Sequence, residues 1–288
     1  MLGADPDNGV MRVWEAIFPC PPPEAATYYT DPRIERGGKL IEQWVRVTPT
    51  IASMQRFAGD MPQECIHAMG MSFVSPQWFM AMGQAARYMQ YICKVDMELA
   101  YRYHRKVLQL LQWKNPRRNW VLKAPFHLDN LCAILKLYPD ACFVWPHRDP
   151  VRALASGVNV AGTVMWGRSD EPFKGGAYEF LFDAKVSAAR LDAVIDQIEC
   201  GALPKERIYN MLYRDLVSAP VASIEKLYQH FGIPMTKTRR DAIERYVTQN
   251  PREARPAHKV DRGSEETIRG DRLAYRRYYQ FFNVPDEL

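Results

Sequence analysis

Two cations and a hydroxyl, Lys123, Arg148 and Ser156, fall within the stretch Trp120 to Ser156 at positions suited to holding an anion such as a phosphate. Lys123 closes the apolar run Trp120-Val121-Leu122, and His147-Arg148 stand at the exit of Ala141-Cys142-Phe143-Val144-Trp145. Asp149 is placed to N-cap the next helix and Pro150 to occupy its first turn, so Arg148 emerges beside free backbone N–H groups. Anions bind at such places. Ser156 lies about two turns further along, at roughly 1.5 Å rise per residue, close enough to join the long Arg148 side chain on one phosphate. The same spacing also suits a structural ion pair between Arg148 and Asp149, with Ser156 an ordinary helix residue.

Positioning these groups requires one βαβ unit over residues 119–156. The run from Trp120 reads as a strand, which Pro125 stops before opening a helix with Leu128, Leu131, Leu135 and Tyr138 at helical spacing. After the Pro139-Asp140 turn, the second apolar run has the character of a parallel strand covered on both faces. In an open α/β sheet, ligands sit outside the carboxyl ends of the strands, where Lys123 and Arg148 both fall. Strand alternation turns His147 to the opposite side from Arg148, which makes it structural.

The segments LKAPFHL and YPDACFVWPHRDPVRALAS resemble the sulfotransferase family that uses 3′-phosphoadenosine 5′-phosphosulfate, in its broad branch carrying LKxPxH and PDAxxVxxHRDP. The likeness extends through WEAIFPCPPPE, MPQEC, AYRYHRKVLQLLQW and IYNMLYRDLVSAP, and covers most of the chain. It implies an α/β fold, a three-layer parallel sheet with flanking helices related to the P-loop NTPases. It also implies sulfuryl transfer from that donor to a hydroxyl, with glycans, lipids and small alcohols all open as acceptors. By resemblance, Arg148 and Ser156 hold the 3′-phosphate, and Lys123 stands where negative charge grows on the leaving phosphate oxygen. Tyr213 corresponds to a tyrosine beside the adenine, although an aromatic packing under a loop fits it equally. Arg262-Gly263 corresponds to a late basic residue and glycine that return to the 3′-phosphate. For the general base the resemblance points to Glu15, slightly favoured, or to His127, four residues past Lys123. Glu15 also suits a surface carboxylate near a helix end, and His127 a capping or packing residue.

In the family, an N-terminal strand and a PRSGTT-like loop cradle the 5′-phosphosulfate with backbone amides and hydroxyls. The sixteen glycines here form neither a G-x-x-x-x-G-K-[ST] pattern nor an S-G-T, so relative to the family the first βα unit is missing. That departure supports an alternative, an inactive or truncated sulfotransferase-like binding protein. A nucleotide kinase of related architecture would need the Walker lysine and a magnesium-binding carboxylate.

With 288 residues, 47% of them hydrophobic, and no break in composition, the chain reads as a single domain over 1–288 with a helical acceptor-side region at about 66–113. The net charge of +5 is spread out and argues against nucleic acid as a partner. Six scattered cysteines, several inside apolar runs, form neither a C-x-x-C pair nor a zinc spacing, so the expectation is small buried hydrophobes, no disulfide framework and no metal. With no leader and no membrane-length apolar run, the expected location is cytoplasmic. Thr27 to Thr48 and Ser218 to Phe231 read as helices, the latter ended by Gly232, and Ile208 to Leu212 as a strand. The stretch Ser75 to Trp113, with Trp78, Phe79, Met80, Met82, Tyr88, Met89 and Tyr91, suits a core and, less often, an apolar acceptor pocket. Gly167 to Tyr178 reads as a surface loop or a lid.

Overall fold

Strand β1 (Asn8–Gly9) pairs in parallel with β2 (Asn119–Trp120), and β3 (Phe143–His147) pairs in parallel with β4 (Ile208–Leu212). The computed structural model describes residues 1–54, 56–78, 85–251 and 263–287. The chain divides into two compact units, Met1–Ala133 with Thr163–Phe173, and Ile134–Gly162 with Lys174–Leu288. The α/β class holds, but the expected strands around Trp120 and Trp145 belong to separate two-stranded sheets. β2 is short because its backbone is soon taken elsewhere. Val121 N–H still donates to Gly9 at 2.8 Å, the Lys123 carbonyl then accepts from Cys65 N–H at 2.9 Å, and Pro125 has no N–H to offer.

In the first unit, Met11, Ala16, Ala68, Val107 and Leu111 form a core on which Trp120 packs. Asp31 caps the helix Pro32–Val47 by accepting from Arg33 N–H at 2.9 Å, and Pro32 supplies the first turn, so this helix starts later than Thr27. The Gly59 carbonyl accepts from Trp14 N–H at 3.0 Å in the helix Val13–Ile17. A Cβ at Gly59 would strike the Ile34 carbonyl, which explains a glycine there. Residues 125–137 fold as a 3-10 helix, Pro125–Asn130, followed by the α-helix Leu131–Leu137. Of the aromatic and methionine stretch, Met89 is buried, while the Trp78 indole donates to the Gly70 carbonyl at 2.6 Å; Phe79, Met80 and Met82 lie outside the described residues.

In the second unit, β3 is not covered on both faces. Trp145 and His147 share one face and pack on Phe282, with ring centroids 4.8 and 4.1 Å away, whereas Pro146, on the other face, is exposed. The helix expected from Ser218 to Phe231 runs Pro220–His230, starting where Pro220 takes its first turn, and a separate short helix, Tyr213–Ser218, precedes it. Gly232 follows with φ +65°, in the left-handed region that glycine tolerates. Gly175–Tyr178 closes the expected loop as a 3-10 turn and buries Tyr178. Among the six free cysteines only Cys65 is buried, contrary to expectation; Cys142 precedes β3 near the Asp140 turn, where solvent reaches it. Among the described residues, no helix is long and apolar enough to cross a membrane.

Candidate functional site

The register of β3 on β4 sets His147 opposite Leu212, so the next residues, Arg148 and Tyr213, leave the sheet side by side. The Arg148 guanidinium lies over the Tyr213 ring, 4.7 Å from its centroid. The Asp149 carboxylate, fully buried, caps the helix Pro150–Trp166 by accepting from the N–H groups of Val151 at 3.0 Å and Arg152 at 3.4 Å. It also accepts from the Tyr279 hydroxyl at 2.9 Å and Glu287 N–H at 3.2 Å. Its partners therefore differ from the expected one: Arg148 pairs with Glu287 instead, Nε to Oε2 at 3.0 Å. Arg152 meets the same oxygen at 3.4 Å and donates to the Glu287 carbonyl at 2.9 Å. Ser156 lies half-buried along the same helix, about two turns on.

His147 is buried and structural in its contacts, with Nδ1 bonded to the Tyr278 hydroxyl at 2.8 Å and Nε2 to Asn210 Oδ1 at 2.9 Å. Burial pushes its pKa down to about 4. Gly263, at φ +79°, leads into Ser264, whose hydroxyl caps the helix Glu265–Ala274. Arg262 lies outside the described residues.

In the first unit, Glu15 is wholly buried rather than at the surface. Its Oε2 accepts from Arg12 N–H at 2.9 Å, closing a capping box on the helix it belongs to, and its Oε1 is paired with Arg117. Arg117 further donates to the Val10 carbonyl at 2.7 Å and to the Tyr28 hydroxyl at 3.2 Å, and lies 4.5 Å over the Trp120 ring. Burial raises the Glu15 pKa, and the Arg117 charge and the Arg12 amide oppose that rise.

Lys123 is exposed on the extended segment beyond β2 and paired with Glu64. His127 sits in the turn Pro125–Asn130, its Nδ1 bonded to the Tyr101 hydroxyl at 2.9 Å. Burial first, and the Lys123 charge second, push His127 down to about 4, so it is neutral at pH 7. The Lys123 charge thus reaches His127, while Glu15 is committed to Arg117. Among the described residues, no group of His, Cys, Asp or Glu could hold a metal ion.

Sequence reasoning passed over Arg117, Glu64, Tyr101, Arg152 and Glu287, all brought in by non-local contacts. Only Arg152, four residues past Arg148 and in the first turn of the helix that Asp149 caps, stood near enough in sequence to have been found.

This chain belongs to the sulfotransferase family, whose sequence profile matches residues 1–237. It is 28% identical over 120 residues to the omega-hydroxy-beta-dihydromenaquinone-9 sulfotransferases of Mycobacterium bovis and Mycobacterium tuberculosis. That stretch is 41% of this chain and 29% of each relative, so the match spans under a third of their length. The crystal structure of a sulfotransferase from Mycobacterium avium superposes with a TM-score of 0.75 at 22% identity, covering 99% of this chain and 73% of that one. A Mycobacterium tuberculosis sulfotransferase superposes at 0.74 and 23% identity, covering 95% and 71%. At such identities the likeness establishes the fold.

Proposed function

We propose that this chain moves a sulfuryl group from 3′-phosphoadenosine 5′-phosphosulfate to a hydroxyl acceptor, with Arg148 and Ser156 on the donor's 3′-phosphate and Tyr213 beside its adenine. One observation carries this: Arg148, stacked on Tyr213 at the carboxyl ends of β3 and β4, already holds an anion, the Glu287 carboxylate. A guanidinium whose plane is fixed by an aromatic ring suits a phosphate better than a lysine does. A hydroxyl acceptor is supported by the mycobacterial relatives, which act on an omega-hydroxy compound.

The bound donor supplies an activated sulfuryl group. The chain must hold it, offset charge on the leaving oxygen and accept the acceptor's proton. Lys123, exposed and tethered by Glu64, supplies the cation for the leaving oxygen. We take His127 as the base: it is neutral, and in the tautomer that donates Nδ1–H to the Tyr101 hydroxyl its other ring nitrogen can accept a proton. An anion bound beside Lys123 offsets the smaller of the two causes that depress His127 and so raises its pKa, while burial, the larger cause, remains. Glu15 can act as base only after Arg117 releases it.

Calorimetric titration tests the assignment. 3′-Phosphoadenosine 5′-phosphate should bind at least about tenfold more tightly than adenosine 5′-phosphate, since one charge-assisted phosphate contact is worth that much. Equal affinities, or no binding of either nucleotide, would overturn it.

A further inference from the structure

We propose that Arg148 and Arg152 form a single two-guanidinium anion site, and that Glu287 is its internal occupant, competing with the 3′-phosphate for the same two side chains. This rests on the donor assignment above and extends it to Arg152 and to the segment carrying Glu287.

One carboxylate oxygen, Glu287 Oε2, lies 3.0 Å from Arg148 Nε and 3.4 Å from Arg152 Nη1. The two arginines are four residues apart: Arg148 leaves β3 just ahead of the Asp149 cap and Arg152 lies in the first turn of the helix Pro150–Trp166, so they reach Glu287 from the strand exit and from the helix start. Both are only partly exposed, at 34% and 27% of their side-chain surface. A phosphate monoester carries more charge and more acceptor oxygens than a carboxylate, and satisfies two guanidiniums better.

The segment around Glu287 is held by contacts that centre on the same place. Glu287 N–H donates to Asp149, its carbonyl accepts from Arg152, and the neighbouring Asp286 pairs with Arg272. Phosphate entry at Arg148 and Arg152 therefore displaces the Glu287 side chain and weakens the anchoring of residues 283–287. Half-exposed ion pairs are individually weak, so the occupant is exchangeable rather than a permanent plug. The donor's apparent affinity is reduced by the fraction of molecules in which Glu287 holds the site.

Hydrogen exchange of the intact chain, with and without 3′-phosphoadenosine 5′-phosphate, reads the displacement directly. Backbone amides of 283–287 should exchange faster in the bound state; slower or unchanged exchange overturns the competition. In titrations, Glu287→Gln should tighten 3′-phosphoadenosine 5′-phosphate by about 3- to 10-fold and leave adenosine 5′-phosphate unchanged. Arg152→Ala placed on the Glu287→Gln background should reverse that gain, and an unchanged Kd removes Arg152 from the site.

Inorganic phosphate separates this inference from the donor assignment. If phosphate frees 283–287 and binds Glu287→Gln more tightly while the nucleotide does not bind, the anion site stands and the donor assignment falls. If the nucleotide binds with neither effect, the donor assignment stands and the competition falls. If neither ligand binds, both fall.

Discussion

Arg148 is worth more to a phosphate than its charge alone, because Tyr213 fixes the plane of its guanidinium before any ligand arrives. Replacing Arg148 by Ala should weaken 3′-phosphoadenosine 5′-phosphate by about 2–4 kcal/mol, on the order of 30- to 1000-fold in Kd. An unchanged Kd by calorimetry would remove Arg148 from the site. Arg117 poses the opposite case, a cation whose work is structural. Its side chain is 7% exposed and Glu15's is 0%, so the pair gains little over apolar packing but leaves a buried charge if broken. Arg117→Ala should cost about 3–5 kcal/mol in urea unfolding, and adding Glu15→Gln should recover part of that loss by removing the stranded charge. Full stability in Arg117→Ala would contradict the buried pair.

The helix Pro150–Trp166 depends on one carboxylate for its start, and that carboxylate also ties down two other segments. Asp149 accepts from Val151, Arg152, Tyr279 and Glu287, so Asp149→Ala should lose the cap and strand several donors, costing about 2–4 kcal/mol by denaturant unfolding. A loss no larger than that of an exposed cap, about 1 kcal/mol, would show that the Tyr279 and Glu287 contacts add nothing. The Asp149-Pro150 start was legible in the sequence because capping is a local matter of a few adjacent residues. Strand β4 was legible to its ends for a related reason: an apolar run bounded by turn signals needs no knowledge of its partner. β1 was not, since an Asn-Gly pair has no apolar pattern and is a strand only through residues more than a hundred positions away. The same limit hid Glu15's burial and Glu287's position, which depend on Arg117 and Arg152 reaching across the sequence. Residue types at Lys123 and Arg148 suggested anion chemistry, but not the carboxylates, Glu64 and Glu287, with which they pair.

Histidines at four places in the chain share one physical state. His67 and His127 are pushed down to about 4, His104 to about 3 and His147 to about 4, each chiefly by burial, with Arg168, Lys123 and His127 adding to the effect at His67, His127 and His104 respectively. All four are therefore neutral in the folded chain well below the ordinary histidine value of about 6.5. Between about pH 6.5 and 4 the unfolded chain binds protons that the folded chain refuses, so stability is complete above 6.5 and falls as the pH falls. Each histidine that stays neutral contributes a slope of about 1.4 kcal/mol per pH unit. Glu15, whose pKa is raised, acts in the reverse sense, since the folded chain takes up its proton first, and it subtracts at most one proton from the slope. Urea unfolding measured from pH 7.5 down to 5 should show a falling midpoint with a net proton uptake of more than one on unfolding. His147→Gln should remove about one proton from that uptake, because Gln keeps an amide near Tyr278 and Asn210 but does not titrate. A pH-independent midpoint over this range would mean that the histidines accept protons in the folded state, and their enclosure would have to be abandoned.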